Sequence, residues 1–212
     1  MTTTIQESAR DVPVLGEYDV VVCGGGAAGC AAAIGAARHG ARTLLIEKNG
    51  YLGGATVSQL VAHILSTNGV DFQGIWHEWI HVVRERGGLA NDRLLQRHGQ
   101  IRGGVDPEVV KFAWDDLIED AGVVQLLHSW CSTAIVEDRE CLGVIVETRA
   151  GRRAVLAGRT IDCTGDGVVC AAAGVTAALS LDAGATPGEL DPAVVTKQLQ
   201  TDRDVEPAFA VH

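Results

Sequence analysis

The chain has 212 residues, 47% hydrophobic and only 4% aromatic, which is enough apolar material for one sizeable α/β core dominated by Ala, Val, Leu and Gly. Its net charge of −10, carried by acids spread along the chain, argues against nucleic acid and anionic membrane as partners. No apolar run reaches membrane-spanning length, and Met1–Gly16 lacks the apolar centre of a secretory signal. The expectation is therefore a soluble cytoplasmic chain whose six cysteines, none in a C-x-x-C pair, stay reduced.

Residues 1–16 read as a flexible lead. Tyr18–Cys23 follows, apolar on both faces as a central parallel strand should be. It runs into Gly24-x-Gly26-x-x-Gly29, the spacing of a turn that holds a dinucleotide by its pyrophosphate. Gly24 suits the tight turn. Gly26 lets phosphate approach the backbone, and Gly29 lets the next helix lie close on the strand. The amides of Gly26, Ala27 and Ala28 would face the phosphates, with the helix dipole behind them.

An Ala-rich helix is expected over Ala27–His39, stopped by Gly40. A strand over Ala41–Ile46 then ends in Glu47, 18 positions after Gly29 and suitably spaced to accept hydrogen bonds from a ribose. The bland alternative is a glycine turn of some other α/β domain, with Glu47 a solvated strand end.

Asn49–Thr56 is a glycine-rich loop, and Val57–Leu65 is expected to be helical. A second helix is expected over Phe72–Arg86, closed by Gly87-Gly88, and the polar stretch Asn91–Arg102 reads as a surface excursion or lid. Asp106 is a good N-cap for a helix through Ala121, with an apolar stripe of Val109, Val110, Phe112, Ala113, Leu117 and Ile118. Val123–His128 reads as another parallel strand. Short strands at Ser132–Val136, Leu142–Thr148 and Arg153–Ala157 form an antiparallel meander. A separate strand, Thr160–Cys163, enters the turn Thr164-Gly165-Asp166-Gly167 and a small-residue helix.

The order of these pieces resembles the FAD-dependent oxidoreductases of the glutathione-reductase-type fold, and more narrowly those that begin with a DVVV-GGG-x-AG pattern. Asp19–Thr56 and Arg159–Gly167 carry the specific part of the likeness, and Gly74–Gly88 and Asp106–Val123 the rest. The resemblance implies a three-layer α/β, Rossmann-like domain over 17–175, with a central parallel sheet, a β-meander on one face and a helical insertion at about 57–122. It implies that Gly24, Gly26, Ala27, Ala28 and Gly29 line the FAD pyrophosphate, and that Glu47 holds the adenosine ribose with Lys48 beside it. Gly53, Gly54, Ala55 and Thr56 would follow the phosphate and ribityl portion. Cys131 would meet adenine through its backbone, and Thr164, Gly165 and Asp166 would form a second turn near the cofactor. The implied activity is transfer of hydride or electrons from a small organic substrate through the flavin; no catalytic acid or base stands out.

Members of that family are considerably longer, and 176–212 contains no glycine-rich cofactor turn. This stretch reads as a tail or the start of an incomplete substrate domain. Two expectations follow: a second polypeptide completes the fold, or a shortened, non-catalytic subunit binds FAD poorly or not at all.

His77-Glu78-Trp79-Ile80-His81 matches the H-E-x-x-H pattern of zinc hydrolases, with Glu78 as general base and His98 a conceivable third ligand. The longer zinc-protease extension is missing, so the favoured expectation is no metal, with the helix covering the cofactor domain. His63 and His128 are weaker candidates for proton transfer than for local hydrogen bonding. Trp76, Trp79 and Trp114 read as packing residues, Tyr51 as a loop anchor, and Asp166 as a helix cap or a cofactor neighbour.

Overall fold

A computed structural model describes residue 5 and residues 9–65, 74–90, 95–97 and 100–175. The elements in chain order are β1 (Val14–Cys23), α1 (Ala27–Arg38), β2 (Thr43–Ile46), α2 (Ala55–Ser58), β3 (His63–Leu65), α3 (Ile75–Glu85), β4 (Leu95–Arg97), β5 (Gln100–Gly104), α4 (Pro107–Asp120), β6 (Val124–Leu126), β7 (Trp130–Glu137), β8 (Glu140–Thr148), β9 (Gly151–Asp162) and α5 (Val168–Ala172).

The main sheet runs β6-β2-β1-β9-β8-β7. Its first four strands are parallel, and β9-β8-β7 are antiparallel. The α/β class, the parallel centre and the antiparallel meander are as expected, and β9 joins the last two into one mixed sheet. The expected strands Arg153–Ala157 and Thr160–Cys163 are one strand, β9. Its first part pairs with β8, and Ala154–Asp162 pairs with β1. Gly158 is not a break there: a Cβ at that position would sit 3.1 Å from the Asp19 carbonyl oxygen, so glycine permits a close backbone approach.

Side-chain alternation sorts the core into two layers. Val22 and Leu45 face α1, α3 and α4. Val21, Cys23, Leu44 and Ile46 face the opposite way, where Cys131, Val144, Val146 and Val155 of the meander and Val169 of α5 cover them. The meander thus remains hydrogen-bonded to the sheet while curling across one face, which yields the three layers.

On α1 the fully buried Cys30, Ala33 and Ile34 recur at helical spacing. Burial of Ile34 stabilises the layer contact by roughly 1.5–3 kcal/mol. The helix stops where Gly40 takes φ +87° and its N–H donates to the Ala37 carbonyl at 2.9 Å. Pro107 opens α4 and Asp106 caps it, accepting from the Glu108 N–H at 2.8 Å. Val110, Ala113, Trp114, Leu117 and Ile118 form its buried stripe. Phe112, placed in that stripe by the sequence reading, is 57% exposed beneath the Arg86 guanidinium. At 100° per residue it lies on the far side from Val110. Trp79 of α3 stacks on Trp114 with ring centroids 5.4 Å apart, which joins α3 to α4.

The expected helix over Val57–Leu65 is a correction. Its apolar spacing suits a helix, yet α2 is one turn, Leu60 adopts φ +56°, and His63–Leu65 forms β3. β3 pairs with β5 in a small antiparallel sheet ordered β3-β5-β4, so the insertion is not purely helical. The stretch read as a lid contributes β4 and the start of β5. Of the expected flexible lead, Val14–Gly16 belongs to β1.

Candidate functional site

Two of the three motif glycines are required by the fold, and the third is not. At Gly24 (φ +104°) a Cβ would stand 2.3 Å from the Cys163 carbonyl oxygen, because β9 presses on the turn. At Gly29 a Cβ would stand 1.7 Å from the Gly24 carbonyl oxygen. A Cβ at Gly26, by contrast, has only the Gly54 Cα within 4 Å, at 3.8 Å. Among the described residues nothing else comes within 4 Å of that Cβ position. Gly26 is also the N-cap of α1, with no side-chain cap and no acid in the first turn, so no side chain of that turn offsets the positive helix end.

The second glycine loop is tied against the first. Gly53 donates its N–H to the Gly25 carbonyl at 2.9 Å. Gly54 packs its bare Cα on Gly26, where a Cβ would fall 2.8 Å from the Gly26 Cα. Gly54 also caps α2, so Ala55 and Thr56 begin a helix beside the turn. Gly53, Gly54, Ala55 and Thr56 are thereby brought to the same cradle as Gly24–Gly29.

Glu47 is 6% exposed and aims into the turn. Its Oε2 accepts from the Gly25 N–H at 2.6 Å. Its Oε1 accepts from the Asn49 N–H and side-chain amide, both at 2.8 Å. A carboxylate offers about four acceptor sites; three are filled, and one on Oε2 remains for a hydroxyl. Asn49 was not singled out from sequence, because nothing in E-x-N spacing marks a carboxylate anchor.

Beside the turn lies a pocket lined by Glu47, Lys48, Trp130, Cys131, Thr164 and Asp166. It brings together residues from three distant stretches of the chain. The Lys48 ammonium sits 5.0 Å from the Trp130 ring centroid. Trp130 was missed in the sequence; its only signal is a large aromatic directly before Cys131.

The second turn is organised by Asp162, also missed. Its carboxylate accepts from the Thr164 N–H at 3.0 Å, the Thr164 hydroxyl at 2.7 Å and the Cys170 N–H at 2.8 Å. The sequence signal is the Asx-type spacing of Asp162 to Thr164. Partial burial pushes the Asp162 carboxyl up, but these hydrogen bonds outweigh it and hold the group below the usual carboxylate range. Asp166 is exposed and is not the cap of α5. Gly167 is the N-cap, and the Thr164 hydroxyl accepts from the Val168 N–H at 3.1 Å.

Cys23 and Cys131 meet beneath the pocket. Their hydrogen bond and their burial push the Cys23 thiol far up, and burial does the same to Cys30. Such thiols behave as small hydrophobes rather than nucleophiles.

The H-E-x-x-H stretch lies on α3, where its acid and second histidine have other partners. Both Glu78 oxygens accept from Arg38, at 2.8 and 2.6 Å, and this ion pair lowers the Glu78 pKa. His81 faces Glu85 at 3.2 Å. Among the described residues no group of three His, Cys, Asp or Glu side chains is placed to hold a metal; His98 lies outside them. His63 is exposed on β3, and the exposed His128 (φ +51°) lays its ring against Gly50.

Comparison with known proteins agrees with this layout. The FAD dependent oxidoreductase family profile matches residues 19–210. The tRNA uridine 5-carboxymethylaminomethyl modification enzyme MnmG of Geobacillus thermodenitrificans is 30% identical over 145 residues, covering 64% of this chain and 22% of that protein. Nicotine dehydrogenase of Pseudomonas putida is 42% identical over 85 residues, 39% of this chain and 15% of that protein. The chain thus spans less than a quarter of the length of these relatives. Among solved structures, a geranylgeranyl bacteriochlorophyll reductase-like protein of Thermoplasma acidophilum superposes with a TM-score of 0.56 at 20% identity, covering 76% of this chain and 43% of that one. Thermovibrio ammonificans THI4 gives 0.53 at 15% identity, covering 74% and 61%. At such identities these structures establish the shared fold. Among the described residues no helix is long and apolar enough to cross a membrane.

Proposed function

This chain belongs to the FAD dependent oxidoreductase family, and we propose that the cradle built by its two glycine loops binds FAD for the oxidation or reduction of a small organic molecule. The carrying observation is the space over Gly26, which no side chain among the described residues fills and which the N-terminus of α1 faces. Bound there, FAD supplies the two-electron chemistry. The chain's own residues supply position and charge.

In this reading the first amides of α1 hold the pyrophosphate, with Gly54, Ala55 and Thr56 flanking it. Glu47 uses its remaining acceptor site for a ribose hydroxyl, and its negative charge disfavours a 2′-phosphate. Thr164, Gly165 and Asp166 border the cofactor from the β9 side, and Cys131 borders the adenine end. Residues 17–175 constitute this cofactor domain. Groups that face the substrate come from outside the described residues or from a second polypeptide. The six free thiols favour a reducing compartment, the cytoplasm.

Titrating the chain with FAD tests the reading. The expected result is one bound FAD per chain, lost when Gly26 is replaced by Val with the fold intact.

A further inference from the structure

Asn49-Gly50 stands in the loop that follows β2, with Asn49 half-buried and Gly50 exposed. The side-chain amide of Asn49 donates to Glu47 Oε1 at 2.8 Å and to the Ser58 hydroxyl at 3.3 Å. The next backbone N–H, that of Gly50, has no hydrogen-bond partner among the described residues. The His128 ring lies beside it. A Cβ at Gly50 would stand 2.5 Å from the ring Nε2, so the missing side chain is what lets an imidazole rest on this backbone. His128, at φ +51°, is tied to the same loop, donating its N–H to the Asn49 carbonyl at 3.0 Å. Asparagine is chemically labile, and here it is followed by an exposed, unbonded nitrogen with a base at its side.

We propose that Asn49 is a self-modifying site whose reaction switches the cradle off. The Gly50 nitrogen gives its proton to His128 and bonds to the Asn49 side-chain carbonyl carbon. The bond from that carbon to Nδ2 breaks, and the amide leaves as ammonia, carrying the proton away. Water then opens the cyclic imide at one carbonyl or the other, leaving an aspartate or an isoaspartate.

The consequence falls on Glu47. A donor 2.8 Å from its Oε1 becomes a second carboxylate facing a buried one. Isoaspartate also adds a carbon to the backbone, which displaces the Asn49 N–H from the same oxygen. Resting on the FAD reading above, the reaction therefore weakens cofactor binding. In the other direction, a cofactor that fixes Glu47 keeps the Asn49 amide on its acceptors and slows the reaction.

The test incubates the full 212-residue chain at physiological temperature and mildly alkaline pH, with and without saturating FAD, beside a synthetic peptide of residues 45–54. Peptide mapping with isoaspartate methyltransferase labelling follows Asn49 separately from Asn68, which also precedes a glycine but lies outside the described residues. The expected result is conversion of Asn49 in the free chain within about tenfold of the peptide rate, and slowing by at least about tenfold when FAD is bound. His128→Ala is expected to slow the free chain. Asn49→Asp, its fold checked by circular dichroism, is expected to bind FAD at least about tenfold more weakly than the parent. Asn49 still intact in the free chain when the peptide is fully converted overturns the inference, as does Asn49→Asp that binds FAD like the parent, and either leaves the FAD reading standing. A parent chain that binds no FAD overturns both.

Discussion

Gly26 and Gly54 meet Cα to Cα, but the crowding between them is one-sided. A Cβ on Gly54 would fall 2.8 Å from the Gly26 Cα, whereas a Cβ on Gly26 finds its nearest neighbour 3.8 Å away. The fold needs Gly54 to be bare. It does not need Gly26 to be bare, and the proposed pyrophosphate site makes use of that freedom.

This asymmetry separates stability from binding among the motif glycines. Gly26→Ala, at φ −74°, is expected to leave thermal stability within about 0.5 kcal/mol of the parent while weakening FAD at least about tenfold. Gly29→Ala drives a methyl into the Gly24 carbonyl and is expected to destabilise by about 1–3 kcal/mol whether or not FAD is present. Denaturant titration alongside FAD titration reads both quantities.

Glu47 is expected to resist even isosteric replacement. Both of its oxygens accept from N–H donors, so Gln must turn its own NH2 towards either Gly25 or Asn49. Glu47→Gln leaves at least one donor unmatched and Glu47→Ala all three, and each is expected to cost at least about 1–3 kcal/mol, measured by urea unfolding without cofactor. A ribose contact alone would leave the stability of the free chain unchanged.

Asp162 predicts a pH dependence. Hydrogen bonds hold its folded pKa below the unfolded value, so the stabilisation is complete above the ordinary carboxylate range near 4 and is lost as pH falls through the folded value. The contribution is about 1–2 kcal/mol, since the group is only part-buried. Asp162→Asn is expected to lower stability at pH 7 and to flatten the acid limb below pH 4, as chemical denaturation across pH would show.

The motif on α3 gives a negative control. Glu78 is committed to Arg38 on the surface, so Glu78→Ala is expected to cost no more than about 1 kcal/mol and to leave FAD affinity unchanged. Metal analysis of the purified chain is expected to find no stoichiometric zinc. Zinc that disappears with His77→Ala would reopen the hydrolase reading.

The strand–turn–helix around Gly24–Gly29 was legible because strand burial, glycine spacing and helix propensity all act within a few residues. The Asp106 cap and the Gly40 stop were legible for the same reason. What escaped depends on distant partners. Arg153–Ala157 and Thr160–Cys163 read as two strands because the Asp19 carbonyl that Gly158 accommodates between them is far away in sequence. Val57–Leu65 looked helical because its apolar spacing says nothing of β5, which claims His63–Leu65 as a strand partner. In the site, Asn49 and Asp162 hold the loops from beneath, and Trp130 acquires meaning only when the start of β7 lands beside Glu47.

The most direct measurement is an FAD titration of the parent chain against Gly26→Val, with the melting temperature of each recorded without cofactor. The account predicts saturable binding and a flavin spectrum for the parent, and a variant that melts like the parent yet stays colourless. A Gly26→Val chain that binds FAD as tightly as the parent would contradict it.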